Sequence, residues 1–368
     1  MTAEERRQVA IFEERPGANI HALWIRLRSG SYHPPAETKT LKTNKGRQTC
    51  QITDLVAQKV MATALAGQIA FSTTHPSANP AENIALAKLH SATWPWAVTI
   101  KSFAQALDIE VGNLLSLLSK GPAAPWVLLY LRRWLSIEGV QCYPMLATPI
   151  TSVIIYHAFD RWIDENHPSV KFEKSQQAII CHLASYSMAA ALKTQVDDRL
   201  IRLGVKGGIQ VKIVHCKKGI WQDGKIATRF EFLGYTFRPR QIAAGDATNT
   251  IFSPAISAGA KIAIWRQVRK WNHHYWVQLE IEQIAASINP QINQWIYAYG
   301  LYGARELKRT LDAINRKLVA WIRCKHKDMR RGKRKAAIYL ESIATRLPQL
   351  FAHWKYGALP RKASKMKS

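Results

Sequence analysis

Along residues 311–322 the apolar side chains Leu311, Ile314, Leu318, Trp321 and Ile322 recur at spacings of three and four, and Arg309, Arg316, Lys317 and Arg323 fall off that line. The spacing predicts a helix with a buried seam and a cationic back, a segment that must pack on a core while turning its charge outward. Ile262, Trp265 and Val268, with Lys261, Arg266, Arg269 and Lys270 alongside, predict a second helix of the same design.

Elsewhere the periodicity is mixed. Ala3 to Glu14, Leu55 to Ala66, Ala81 to Leu89, Pro125 to Leu135, Ser185 to Leu203, Ala258 to Trp271, Leu279 to Ser287, Pro290 to Tyr299, Arg305 to Arg323 and Lys335 to Arg346 carry helical patterns. Short β-rich runs sit at Ala97 to Ile100, Ala178 to Cys181, Gln210 to Cys216 and Phe230 to Phe237. The strands crowd into the first 240 residues and helices hold the rest, which predicts an α+β protein. A loop with Gly and Asp turn chemistry, Pro239 to Asn249, is expected to separate the two regimes.

The charge follows the same division. The chain carries 52 Lys and Arg against 25 Asp and Glu, a net +27, and its last segment, Arg305 to Ser368, holds 19 of those cations with only 4 acids. A one-signed block such as Lys325 to Lys335 (KHKDMRRGKRK) is a phosphate-facing pattern, whereas solvated surface helices intersperse signs. Structured RNA is the expected partner, with DNA as a second polyanion. Five cysteines, widely spaced and never in a C-x-x-C pair, support neither a disulfide framework nor a zinc knuckle. His273-His274, His353 and Cys324-x-His326 flank tryptophans or lie in basic runs, so packing or phosphate contact is favoured over metal ligation. The opening residues lack an apolar core of signal-peptide length, and no uncharged apolar stretch approaches roughly eighteen residues; a cytoplasmic chain without membrane contact is expected.

The string FEFLGYTFRPR at Phe230 to Arg240, followed in order by FSPAIS (Phe252 to Ser257), INPQINQWIYAYG (Ile288 to Gly300), INRKLVAWIRCKHK (Ile314 to Lys327) and PQLFAHW (Pro348 to Trp354), resembles the bacterial group II intron-encoded reverse transcriptase/maturase family. Upstream, ALWIRLRSGSYHPP (Ala22 to Pro35), DLVAQKV (Asp54 to Val60), PWVLLYLRRWL (Pro125 to Leu135) and YHAFDRW (Tyr156 to Trp162) look like further segments of it. The resemblance implies a right-hand, reverse-transcriptase-like fingers and palm over residues 1–240, a helical thumb and maturase module over 250–356 that grips RNA, and a basic tail at 357–368. No H-N-H endonuclease segment follows Trp354, so DNA cutting is not implied.

Polymerases of that family hold two Mg²⁺ ions on three aspartates, because hard cations need anionic oxygens to neutralise the developing phosphate charge. Here the resemblance puts Thr99 on the first of these positions and Gln176 and Gln177 on the other two. Neutral oxygens supply no Coulomb attraction, so neither a catalytic residue nor a bound metal or other cofactor is expected. Asp108 and Glu173 stand nearby in sequence, at other offsets. Asp197-Asp198 lies in a helical pattern and is expected to be a surface pair. Gln210 replaces the lysine expected before IVHC, the glycine loop of the family corresponds to the glycine-free Cys142 to Ser152, and Lys42 and Arg47 match its triphosphate-contacting cations.

The resulting expectation is a polymerase-dead, RNA-binding maturase-like protein that helps intron RNA fold or splice. Its expected phosphate contacts are Arg238, Arg240, Arg266, Arg269, Lys270, Lys308, Arg309, Arg316, Lys317, Arg323, Lys325, Lys327, Arg330, Arg331, Lys333, Arg334 and Lys335. The alternatives are an active RNA-directed DNA polymerase with a non-standard metal site and a vestigial mobile-element remnant.

Overall fold

The computed structural model describes residues 3–34, 51–72, 79–102, 108–119, 124–136, 145–146, 149–150, 159, 161–175, 177–217, 226–244 and 247–360. Their elements run α1 (Ala3–Glu14), α2 (Pro16–Arg28), α3 (Ile52–Ser72), α4 (Pro80–Thr93), β1 (Trp96–Ser102), β2 (Asp108–Ile109), α5 (Val111–Ser119), α6 (Pro125–Leu135), α7 (Arg161–Asn166), β3 (Lys171–Ser175), β4 (Ala178–Leu183), α8 (Tyr186–Arg202), β5 (Val205–Gly207) and β6 (Ile209–His215). There follow β7 (Phe230–Phe232), β8 (Tyr235–Ala244), β9 (Ala247–Ile256), α9 (Ala258–Lys270), α10 (Ile281–Tyr299), α11 (Ala304–Lys325), α12 (Lys333–Arg346) and α13 (Ala352–Lys355). The mixture is α+β. Two compact units form: residues 1–79 with 93–215, and residues 80–92 with 216–368.

The first unit is organised by a four-stranded antiparallel sheet in the order β3-β4-β1-β6. Val98, Ile100, Ile179 and Cys181, which share one face by register, are fully buried, as expected of a sheet face packed on a core. A buried carboxylate ties α3, α6 and the chain that follows α2 together. Asp54 on α3 accepts from the Tyr32 hydroxyl (2.6 Å), the Trp134 indole of α6 (2.9 Å) and the Gln58 amide one turn on (2.8 Å). Burial and Asp54 together push the Tyr32 phenol well above its usual range. The DLVAQKV segment thus uses Asp54 and Gln58 as structure.

The second unit begins with a three-stranded sheet, β7-β8-β9. The FLGY turn between β7 and β8 has both central residues at positive φ, Leu233 at 47° and Gly234 at 77°, the geometry that matches strand twist in tight hairpins. A side chain at Gly234 would meet the Tyr299 ring at 2.8 Å, so glycine serves both the turn and the packing. The β8–β9 hairpin is joined to the start of α11: Arg240 donates from Nη1 to Glu306 Oε1 (2.7 Å), from Nε to the Ser253 carbonyl (3.0 Å) and from Nη2 to the Thr236 carbonyl (3.2 Å). Gly303, at φ 68°, lies so close to β9 that a Cβ there would come within 2.4 Å of Ala255 Cβ.

Ile264, Val268, Ile284, Ile288, Ile292, Leu311, Ile314, Leu318, Trp321, Leu340, Phe351 and Trp354 form one core. Within it Asn315 is fully engaged: its Nδ2 donates to the Ala358 carbonyl (3.0 Å), and its Oδ1 accepts from His353 Nε2 (2.9 Å) and Trp354 Nε1 (2.8 Å). Burial holds His353 neutral, its pKa pushed down to about 3.

Three local expectations are corrected. Among the described residues of Pro239 to Asn249 there is strand where a loop was expected: they belong to β8 and β9. Leu279 to Ser287 and Pro290 to Tyr299 are one helix, α10, with Pro290 inside it. A mid-helix proline costs about 3 kcal/mol, and burial of Ile284, Ile288, Ile292 and Trp295 on both sides of it outweighs that cost. In α9 the buried residues are Ile264 and Val268, four apart, while Ile262 faces solvent.

Candidate nucleic-acid interface

The seam predicted on α11 is buried at every named position, Leu311, Ile314, Leu318, Trp321 and Ile322. Its opposite side carries the charge. Arg309, Arg316 and Arg323 repeat every seven residues and so share one stripe of the helix. Beside α11, at Thr310, Ala313 and Lys317, packs α9, started by Ser257, whose hydroxyl accepts from the Ala260 amide (3.1 Å). The two helices enclose a groove of about 410 Å³, lined by Trp265, Val268, Arg269, Ala313, Arg316 and Lys317. Its floor is apolar and its rim is cationic.

Trp265 is 38% exposed on that floor and its Nε1 donates to the Thr310 carbonyl at 3.2 Å, which fixes the ring. A fixed, half-open indole beside guanidinium groups can stack a base or cover a sugar while the cations meet phosphate. Trp295, Trp321 and Trp354 are buried and Trp271 is half-buried, whereas Trp265 is exposed at the groove. Arg316 also reaches Asp312 at 2.8 Å, an exposed pair of the kind that exchanges readily for a phosphate.

The expected contact residues divide into two sets. Arg238, Arg266, Arg269, Lys270, Lys308, Arg309, Arg316, Lys327, Arg330, Arg331, Lys333, Arg334 and Lys335 are exposed and Lys317 is half-buried at the groove. Arg240 is committed to the hairpin and Glu306, and its burial lowers its pKa while Glu306 opposes that shift. Arg323 donates from Nε and Nη2 to the Arg330 carbonyl (3.2 and 3.0 Å), and Lys325 donates to the Leu279 carbonyl and to Glu280 (both 2.7 Å). These three side chains are engaged with groups of their own unit.

The positions matched to the polymerase aspartates lie in the first unit. Thr99 sits mid-strand in β1, buried, with Oγ1 donating to the Lys212 carbonyl at 3.4 Å. Its register partner on β4 is Ile180, whereas the carbonyl of Gln177, exposed in the β3–β4 turn, accepts from the Ser102 amide (2.7 Å). Thr99 and Gln177 are therefore three residues out of register, roughly 10 Å along the strands. Gln176, Lys42, Arg47 and most of Cys142 to Ser152 lie outside the described residues, as does the Asp108 side chain.

Lys101, Lys212 and Glu173 share the sheet face of Thr99 by register. Among the described residues only Asp54 and Glu173 are buried acids. Glu173 is bound to His182 at 2.6 Å and lies two strands from Thr99, about 10 Å away. One paired carboxylate among lysines does not fit a pair of hard divalent cations. Asp197 and Asp198 are surface acids of α8, the first paired with Lys193 one turn earlier. Among the described residues no helix is long and apolar enough to cross a membrane.

The three-residue group His273, His274 and Cys324 was not legible in the chain. The structure brings their ligand atoms within 4.8 Å of one another, at the rim end of α9 and the last turn of α11. Fifty residues separate the histidines from the cysteine, so no spacing motif marks them.

Residues 263–339, which contain both groove helices' facing segments, match the model of the group II intron, maturase-specific domain. No curated protein matches the chain. Among solved structures it is similar to telomerase from Candida albicans in complex with a fragment of telomeric RNA, at 8% identity and a TM-score of 0.34; the likeness covers 85% of this chain and 57% of that one.

Proposed function

We propose that this protein binds structured RNA, group II intron RNA in the first place, and assists its folding or splicing without covalent chemistry of its own. The observation that carries the reading is the α9–α11 groove, where Arg269, Arg316 and Lys317 rim a fixed, part-exposed Trp265 inside the segment that matches a maturase-specific domain. Cations of this kind position a phosphate backbone, and an adjacent aromatic favours unpaired or splayed bases over a regular duplex. The order of the sequence motifs from FEFLGYTFRPR to PQLFAHW supports the same family.

In this reading the chain does not polymerise DNA. Thr99 and Gln177 carry no charge and stand out of register, and Glu173 is held by His182. The protein's part is to stabilise one RNA arrangement against others by binding it more tightly, which is sufficient to speed a self-splicing RNA.

The test is a titration of the full chain with a group II intron transcript and with an unstructured RNA of equal length, followed by splicing at low Mg²⁺. Binding at least about tenfold tighter to the intron, with faster splicing, is expected. Equal affinity for both RNAs with no change in splicing overturns the proposal, as does primer extension that vanishes in Glu173→Gln.

A further inference from the structure

His273 and His274 follow α9 on a short connection, and Cys324 stands on the last turn of α11. The His274 Nδ1 and Cys324 Sγ atoms are 3.8 Å apart, and the two imidazole rings are stacked obliquely with centroids 4.2 Å apart. One ligand atom from each of the three residues falls within 4.8 Å of the others. In a tetrahedral zinc site with bonds of about 2.0 Å to nitrogen and 2.3 Å to sulfur, nitrogen and sulfur ligands sit roughly 3.5 Å apart. The three side chains thus approach that separation before any ion is present.

The connection that carries the histidines is held on both sides. The His274 amide donates to Asn272 Oδ1 (3.1 Å), and the Trp321 indole of α11 donates to the Trp276 carbonyl (2.8 Å). Lys325, next to Cys324, reaches over to the Leu279 carbonyl at 2.7 Å. Trp271 packs on both Trp276 and Trp295, so the loop is anchored at its first residue as well. Ligands on two elements fixed to each other give up little freedom when they close on an ion.

We propose that His273, His274 and Cys324 form a binding site for a borderline-soft divalent cation, zinc in the first place, with its fourth position open to solvent. Two imidazoles and one thiolate are ligands that zinc accepts, and hard Mg²⁺ or Ca²⁺ would not choose them. His274 and Cys324 are exposed, which gives the ion an entry path and leaves room for a water molecule. The thiolate supplies one negative charge against the surrounding cations, and its proton is released to solvent on binding.

The site stands apart from the RNA reading and is tested without RNA. Full-length protein stripped with a chelator is titrated with Co²⁺, whose thiolate complex gives a near-ultraviolet charge-transfer band, and the cobalt is then displaced with Zn²⁺. One equivalent should develop the band, Cys324→Ser should abolish it, and His274→Ala should weaken binding by about tenfold or more. In the unaltered protein, Zn²⁺ should also slow alkylation of Cys324 relative to the chelator-treated sample. A band that persists in Cys324→Ser, or alkylation of Cys324 that Zn²⁺ does not slow, overturns the proposal.

Discussion

The first unit turns its buried polar groups toward one another, and the second leaves its cations facing out. Asp54 is spent on Tyr32, Gln58 and Trp134, and Glu173 on His182. On α9 and α11, by contrast, Arg266, Arg269, Arg309 and Arg316 stand on exposed faces, and the core beneath them closes without their help. Folding alone explains both of those carboxylates. It does not explain a strip so rich in exposed cations, which costs stability through self-repulsion that a polyanion would offset.

The largest effect should come from reversing that strip. Changing Arg269, Arg316 and Lys317 together to Glu is expected to weaken RNA binding by about a thousandfold near 0.15 M salt and to lower the slope of log affinity against log salt by about three. Circular dichroism should show the fold intact. An unchanged salt slope would place the RNA elsewhere on the molecule.

Next, Asp54→Ala removes the acceptor that three buried donors share and should cost about 3 kcal/mol or more of unfolding free energy in urea titrations. RNA affinity of the folded protein should stay within about threefold. A large affinity loss at full folding would break the contrast, because it would give a first-unit carboxylate a role beyond structure.

The smallest effect sharpens the contrast inside the second unit. His353 titrates near 3 when folded and near its ordinary value of about 6.5 when unfolded, so protons favour the unfolded chain. Its contribution is complete above about 6.5 and is lost as pH falls toward 3. Between roughly pH 6 and 4, wild-type stability should drop relative to His353→Gln by up to about 1.4 kcal/mol per pH unit. Parallel pH profiles would show that the ring is not buried as described.

Much of the second unit was legible because helical periodicity and burial coincide there: the five apolar residues predicted on α11 are all buried, and Leu307 extends the same seam one turn earlier. Where spacing misled, a tertiary contact had overridden a local rule. Pro290 suggested a break that the packing of α10 does not permit, and Ile262 imitated the seam that Ile264 provides. The groove itself was only half visible. Its arginines stood in the charge pattern, but which tryptophan faces them depends on how α9 rolls against α11. In the first unit, motif order suggested that Thr99 and Gln177 belong together, and strand register, which a short motif does not encode, sets them three residues apart. Arg240 shows the limit of charge counting, since its role follows from the carbonyls and carboxylate around it.

The junction of Arg240, Glu306 and Gly303 with β9 has a mechanical consequence. Because the hairpin strand and the first turn of α11 touch at backbone distance and share an ion pair, neither can swing while the other stays still. A load placed along the long helix would therefore reach the β-ribbon through that ion pair and the Gly303–Ala255 contact.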